Sequence, residues 1–316
     1  MTPGVSLVIV NFNAGDALLR CLEAVTLQTL PPTRLILVDN ASTDGSAKKA
    51  SAFLASQVNL GEISEFLRNT KNLGFAAANN AAIARCNTEF IALLNPDAIP
   101  QPDWLEKLVA AAKRHPQAAS FGSLQMRDIA GGIIDGLGDV YHFSGASWRK
   151  HHGRKLHPPD LLEGEIFSPC AAAVLYRRSA FLEVGGFDED FFCYMEDVDL
   201  GFRLRLRGYA AVFVPQAIVE HASENRRSDF AVYHGHRNLV WCFFKNMPAP
   251  LLLVHAPLHL FQTLCAFFAC ALRGQAHVFI RAKINACRDL PKMLAKRRLL
   301  QSKRRISIPA LWLLLG

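Results

Sequence analysis

Short unbroken apolar runs, each ending at a polar tip, recur along the first half of this chain and restrict its fold more than any other feature. Phe90-Ile91-Ala92-Leu93-Leu94-Asn95-Pro96-Asp97 is the clearest of them. Five apolar residues in a row read as a strand buried on both faces, typical of a parallel sheet covered by helices. Proline cannot donate to a ladder and ends the strand, which sets Asp97 just past a carboxyl end, on the edge where open α/β sheets bind ligands. A carboxylate there can hold a divalent cation. It also has a purely local use, shaping the turn before a helix starting near Asp103.

The same grammar runs along the chain. Val5–Val10 is an expected buried strand, followed by the Asn11-x-Asn13-x-Gly15 turn and a helix over roughly Asp16–Leu27, whose Leu18, Leu19, Leu22 and Val25 keep helical spacing. Leu35–Val38 ends at Asp39-Asn40-Ala41-Ser42, with Ser42 or Thr43 placed to cap a helix over about 44–56. Ile63–Leu67, the turn Asn69–Phe75 and a helix from about Ala76 to Arg85 precede the opening strand. This alternation predicts an α/β fold with a mostly parallel, Rossmann-like, doubly wound sheet and its polar tips along one edge. Residues 126–165 are irregular and read as hairpins or a mobile loop on the rim. Then come a strand Ala171–Tyr176, the acidic run Glu196-Asp197-Val198-Asp199 opening a helix through Arg207, a last strand Ala210–Val214, and Val219-Glu220-His221. Acids in that helix's first turn and Arg203, Arg205 and Arg207 near its end also complement a helix dipole without any chemistry.

Charge divides the chain. Residues 226–316 carry 15 Lys/Arg against Asp229 and Asp289, whereas residues 1–225 carry 20 Lys/Arg against 25 Asp/Glu. A basic tail seeks phosphates, and the apolar content around it decides whose. Here Leu251–Leu272 holds no formal charge, Ile280–Arg305 is basic and amphipathic, and Ile308–Leu315 is apolar. The pattern predicts helical segments lying in an anionic membrane interface, with a helical cap packed on the domain as the alternative. Leu251–Leu272 is also long enough to span a bilayer, but Lys/Arg retained inside would then put the two parts on opposite sides. No nucleic-acid partner is expected, since the basic residues alternate with aliphatic runs rather than stacking aromatics. The expected division is residues 1–225 as the α/β domain and 226–316 as the membrane-associating region. The eight cysteines form no Cys-x-x-Cys pair, which argues against a zinc site or disulfide framework and suits a reducing cytosol. The first residues lack a positive n-region, and the apolar run that follows is expected to be a first strand rather than a signal peptide.

At the carboxyl edge the first two strands present Asn11, Asn13 and Asp39. A carboxylate beside a groove accepts from a nucleobase imide, and exposed N–H groups of Gly-containing turns meet phosphate. Asn72-Leu73-Gly74-Phe75 adds a second such turn, and Asp97 a candidate metal ligand. Together they point to a nucleoside-diphosphate cradle, although the Gly-x-Gly-x-x-Gly fingerprint and the Lys-bearing phosphate loop are both absent. A leaving nucleoside diphosphate needs charge neutralisation, which Mg²⁺ or Mn²⁺ supplies. His221 is a second candidate ligand, with Glu220 placed to orient it; the alternative is a structural histidine. Asp197 or Glu196 is a candidate general base for a hydroxyl acceptor, and Asp199, two residues round the helix from Asp197, points elsewhere.

These stretches resemble the ordered motifs of family 2 glycosyltransferases: Val8-Ile9-Val10-Asn11-Phe12-Asn13, Asp39 through Ser46, Asn72-Leu73-Gly74-Phe75, Leu94-Asn95-Pro96-Asp97, and Gly186-Phe187-Asp188 through Asp199. The resemblance covers about residues 5–221. It implies the nucleotide-diphospho-sugar transferase fold known as GT-A and an inverting, metal-dependent single displacement; the C-terminal helical, membrane-associating extension expected from the composition of the tail follows it. By the likeness Asp39 meets the base, Asn95-Pro96-Asp97 stands where the family has Asp-x-Asp, Asp197 occupies the catalytic-base position and His221 matches a metal-associated histidine. Asn95 leaves a single anionic ligand in that motif. The Asn-Pro-Asp form resembles bacterial rhamnosyltransferases, which implies a deoxythymidine-diphosphate rhamnose donor. The basic, apolar tail, which would hold the site near anionic headgroups where a lipid carrier lies, adds the expectation of a glycan or lipid-linked glycan acceptor in cell-envelope polysaccharide synthesis, at the cytoplasmic face of the inner membrane. The Gln-x-x-Arg-Trp motif of processive synthases is missing, so one sugar per encounter is expected. A non-catalytic nucleotide-sugar binder or membrane scaffold is the alternative that Asn95 feeds.

Overall fold

The computed structural model describes residues 4–221 and 228–316. The first three residues and the boundary expected at 225/226 lie outside the described residues. In chain order the strands are β1 Val5–Asn11, β2 Arg34–Asp39, β3 Ser64–Arg68, β4 Phe90–Leu94, β5 Ala98–Pro100, β6 Ala118–Asp128, β7 Ile133–Gly136, β8 Asp139–Tyr141, β9 Ser147–Arg149, β10 Gly164–Glu165, β11 Ala173–Arg177 and β12 Ala210–His221. The helices are α1 Ala17–Thr26, α2 Ser46–Ser56, α3 Val58–Glu62, α4 Gly74–Ile83, α5 Trp104–Arg114, α6 Arg178–Glu183, α7 Glu196–Leu206, α8 Asp229–Asn246, α9 Ala249–Ala271, α10 Ala276–Arg288, α11 Leu290–Ser302 and α12 Ile308–Trp312.

The main sheet runs β10-β12-β6-β11-β4-β1-β2-β3, with β5 added to β12 and β7 to β6. Its N-terminal half is parallel, as the apolar runs predict. In β4, Phe90, Ala92 and Leu94 face a core built with Leu18, Leu22, Trp104 and Leu108, while Ile91 and Leu93 face one built with Ala78, Ala82, Phe181 and Leu200. Both faces are covered, so a polar side chain at any position along the strand would be buried and would need a hydrogen-bond partner there. The second half departs from the parallel expectation: β11 is antiparallel to both β4 and β6, and β12 returns parallel to β6.

Two other differences matter for the site. The last strand does not stop at Val214; it passes an irregularity between Val214 and Ile218 and continues to His221, where it meets β5. Neither Ser42 nor Thr43 caps α2, which begins at Ser46 after Gly45 at φ 83°. Ser42 Oγ instead accepts from the Asn11 side chain and the Asn13 amide, each at 3.0 Å, tying the first two turns together.

Residues 126–165 form β7 and the two-stranded β8–β9 hairpin. The tail packs as helices against α7, sharing a core that includes Phe191, Phe202, Trp241, Phe243, Met293 and Leu311. Ion pairs add to this contact: Lys245 Nζ lies 2.5 Å from Asp188 and 2.7 Å from Asp199, and Lys296 reaches both Asp188 and Asp190.

Candidate active site

The short β5 explains how distant residues meet. Its pairing with the end of β12 sets Ala98 opposite His221 and carries the preceding Asn95-Pro96-Asp97 turn to the same place. His221 Nε2 lies 3.5 Å from Asp97 Oδ1 and 3.4 Å from Asn95 Nδ2. On its other side His221 Nδ1 is 2.9 Å from Asp135 Oδ2. Asp135, not Glu220, therefore orients the ring. Side chains alternate along a strand, so Glu220 and His221 leave β12 in opposite directions. Asp135 is fully buried and also pairs with the Arg149 guanidinium. Burial works against charge on both Asp97 and His221, but their mutual contact outweighs it. Asp97 is held below the usual carboxylate range, and His221, helped by Asp135, above the usual imidazole value.

The acidic run, at the N-terminus of α7, contributes Glu196 and Asp197 to the lining of the same cleft as Asp97 and His221. Asp197 is half-buried and held by two backbone donors, Ala171 N–H to Oδ2 at 3.1 Å and Val198 N–H to Oδ1 at 2.8 Å. Glu196 is buried, and its Oε2 has no hydrogen-bond partner among the described residues. Burial, then the neighbouring Asp197 charge, pushes its pKa well above the carboxylate range. Asp199 turns into the core as expected, paired with Arg203 at 2.8 Å and Asn246 at 2.7 Å.

Asn95, Asp97, His221, Glu196 and Asp197 line one cleft of about 530 Å³, together with Asp139, Trp148, Arg149 and Tyr194. The remaining predicted residues do not line it. Asn11, Asn13, Asp39, Asn72 and Gly74 lie further along the same sheet edge, at the ends of β1 and β2 and the start of α4. Asn11 is buried and donates to Asp39 at 3.3 Å, Ser42 at 3.0 Å and Ser46 at 2.8 Å. Asn13, at φ 54°, accepts from the Thr43 amide at 2.8 Å. Asp39 Oδ1 also accepts from the Ser42 amide at 3.2 Å, while Oδ2 has no hydrogen bond among the described residues. Asn72 Oδ1 receives the Gly74 amide and the Asn40 side chain, both at 2.8 Å. Gly74 sits at φ 82°, and a Cβ there would come within 2.6 Å of Phe192.

Several residues of this assembly were not singled out from sequence, among them Asn40, Asp135 and Arg149, which tie its parts together. Asn40 links the second and third turns, its Oδ1 accepting from Leu73 N–H and Asn69 Nδ2 at 3.0 Å each. Asp135 and Arg149 come from the irregular stretch, where no periodicity marks them. A buried acid has no sequence signal of its own.

The match to the glycosyl transferase family 2 model spans residues 6–185, more than half the chain. This protein is a family 2 glycosyltransferase. It is 32% identical over 246 residues to the N-acetylglucosaminyl-diphospho-decaprenol L-rhamnosyltransferase of Mycobacterium tuberculosis, covering 70% of this chain and 76% of that one. It is 27% identical over 233 residues to the O-antigen chain rhamnosyltransferase RfbN of Salmonella typhimurium, covering 72% and 70%. The fold resembles that of a mannosyltransferase from Pyrobaculum calidifontis solved with GDP-Man and Mn²⁺, with a TM-score of 0.58 and 18% identity over 96% of this chain and 86% of that one. It also resembles GalNAc-T7 solved with UDP, GalNAc and Mn²⁺, with a TM-score of 0.61 and 18% identity over 77% of this chain and 48% of that longer one. The glycosyltransferase thus carries the GT-A-like fold expected of its motifs, its sheet mixed where a mostly parallel one is expected.

Proposed function

We propose that this glycosyltransferase moves one sugar, rhamnose from deoxythymidine-diphosphate rhamnose, to a hydroxyl of a lipid-linked glycan precursor of the cell envelope. The carrying observation is that Asp97, His221 and Asp197, brought from three distant parts of the sequence, line one and the same cleft. As the acceptor oxygen bonds to the sugar's anomeric carbon, Asp197 takes the hydroxyl proton, and the bond to the diphosphate oxygen breaks with its electron pair leaving on the nucleotide. Attack opposite the leaving group inverts the anomeric centre. Glu196 suits the base role less well, because its burial, with no partner for Oε2 among the described residues, disfavours the charged form that would take the proton.

Asp97 and His221 are the residues that would hold Mg²⁺ or Mn²⁺, whose charge offsets that of the departing diphosphate. The donor set fits such a role: one carboxylate and one imidazole nitrogen, with no cluster of three or more acidic, His or Cys ligands among the described residues. Such cations are typically bound through one or two carboxylates plus the substrate's own phosphates. Asp39 is our candidate for holding the nucleobase, its Oδ2, which has no hydrogen bond among the described residues, accepting from the imide N–H.

The rhamnose donor and lipid-linked acceptor are supported by the names of the two relatives. A membrane site, at the cytoplasmic face of the inner membrane, is supported by α9, long and apolar enough to cross a bilayer. One side of α9 packs on the protein through Leu251, His255 and His259, while Leu253, Val254, Leu260, Phe261, Leu264 and Phe268 are exposed. A helix docked along one side suits a position in the interface rather than a span. The test is a binding and hydrolysis screen of nucleotide sugars, with Mg²⁺ or Mn²⁺ and with chelator, comparing wild type with Asp97→Ala. Metal-dependent preference for the rhamnose donor, lost in the variant, is expected; binding of no nucleotide sugar would overturn the proposal.

A further inference from the structure

Three large aromatic side chains that line the catalytic cleft are left open to solvent: Trp148 at 48%, Tyr194 at 39% and Phe230 at 50% exposure. Burying such rings is among the largest gains available to a fold, and exposed apolar surface concentrated at one place marks a binding surface. They form two walls. Trp148 stands on β9 beside the His142 ring, at 6.1 Å between centroids. Tyr194 and Phe230, at 6.2 Å, belong to a second group with Phe192 and His234.

The second wall is held at a conformational cost. Phe192, Tyr194 and Met195 have φ of 65°, 64° and 68°, left-handed values that side-chain-bearing residues rarely adopt. Such strain persists only where its surroundings enforce it. Here the buried Asn238 of α8 enforces it, its Nδ2 donating to the carbonyls of Phe191 at 2.9 Å, Cys193 at 2.9 Å and Tyr194 at 2.7 Å. Arg237 adds Nη2 bonds to Asp190 O at 3.1 Å and Phe191 O at 3.0 Å. The strained segment runs directly into Glu196 and Asp197, so one clamp sets both the aromatic wall and the carboxylate.

We propose that Trp148, Tyr194 and Phe230 form the acceptor subsite, taking the C–H faces of a pyranose ring between them and presenting its hydroxyl to Asp197. This deepens the transferase reading and rests on Asp197 as base. The ring of a sugar, with apolar faces and a polar edge, suits aromatic walls interrupted by Ser147 and Asp139, which line the same cleft. The exposed apolar side of α9 suits the lipid instead, and Asp39 does not line this cleft.

Isothermal titration calorimetry of the full chain with N-acetylglucosaminyl-diphospho-farnesol, in the presence of deoxythymidine diphosphate, reads acceptor binding whether or not transfer occurs. Trp148→Ala, Tyr194→Ala and Phe230→Ala should each weaken binding by about tenfold or more. Trp148→Phe and Tyr194→Phe should stay within about threefold, because the ring face is kept. The nucleotide's own dissociation constant should not change with any of them. Unchanged acceptor binding in all three alanine variants would overturn the subsite. So would wild-type protein that fails to bind the probe, or that binds farnesyl diphosphate as tightly as the sugar-bearing compound. Loss of the transferase reading would show separately, as nucleotide-sugar binding or turnover that fails while the acceptor titration succeeds.

Discussion

Replacing Asp135 by Asn keeps the volume of a fully buried side chain and removes its charge. The carboxylate holds Arg149 on one side and His221 Nδ1, at 2.9 Å, on the other. Breaking a buried ion pair by removing one partner costs about 3–5 kcal/mol. Arg149 keeps 18% of its side chain exposed and can recover some hydration, which places the expected loss at the lower end, about 3 kcal/mol. At about 2–4 °C per kcal/mol for a protein near this size, the melting midpoint should fall by about 6–12 °C. A second, independent effect follows from the ring. Without its carboxylate partner His221 is no longer fixed with Nε2 toward Asp97, and loss of such an outer partner costs about 10–100-fold in metal affinity. The assay is sugar transfer or donor hydrolysis titrated with Mn²⁺ at a temperature where the variant remains folded. An apparent metal constant within about twofold of wild type, alongside the expected loss of stability, would refute the role given to Asp135.

Glu196→Gln should retain transfer activity within about tenfold, since burial and then the neighbouring Asp197 charge already disfavour the charged carboxylate, and the swap should be neutral or stabilising in a urea melt. Burial raises the Asp188 pKa, but Lys245 and Lys296 outweigh it and hold the carboxylate below its ordinary 3.8. Its contribution to stability is therefore complete above about pH 4 and lost as pH falls through the folded value. Lys296→Met should cost about 1–3 kcal/mol at pH 7 and flatten the acid limb of the stability curve, measured by urea melts from pH 2 to 7. Gly74→Ala should destabilise by about 2–4 kcal/mol, because φ is positive and the new Cβ collides with Phe192; an unchanged urea midpoint would contradict this. Leu260→Glu with Phe261→Glu, on the exposed side of α9, should reduce sedimentation with anionic vesicles while leaving the midpoint within about 1 kcal/mol.

The N-terminal half of the fold was legible because it is repetitive: strands buried on both faces leave continuous apolar runs, and the polar residue ending each run must lie at an edge. Asn11, Asp39 and Asp97 could be placed from that pattern, and the first turn of α7 from the acidic run that opens it. The antiparallel β11 and the return of β12 could not, since strand direction is set by contacts far apart in sequence. His221 was legible as a candidate, but its partner was not. Glu220 is its neighbour in the chain, whereas Asp135 reaches it through the β6–β7 pairing. The strain at Phe192, Tyr194 and Met195 was hidden for the same reason, because Asn238 enforces it from a helix more than 40 residues away.

The most direct test of the central claim uses Asp197→Asn, with the nucleotide sugar identified by the donor screen and N-acetylglucosaminyl-diphospho-farnesol as acceptor. Mass spectrometry should show wild-type protein adding a single sugar, and the variant should bind donor within about threefold of wild type while transferring about 10²–10⁴-fold more slowly. Transfer by the variant at the wild-type rate would contradict the assignment of Asp197 as the base and, with it, the reading of this cleft.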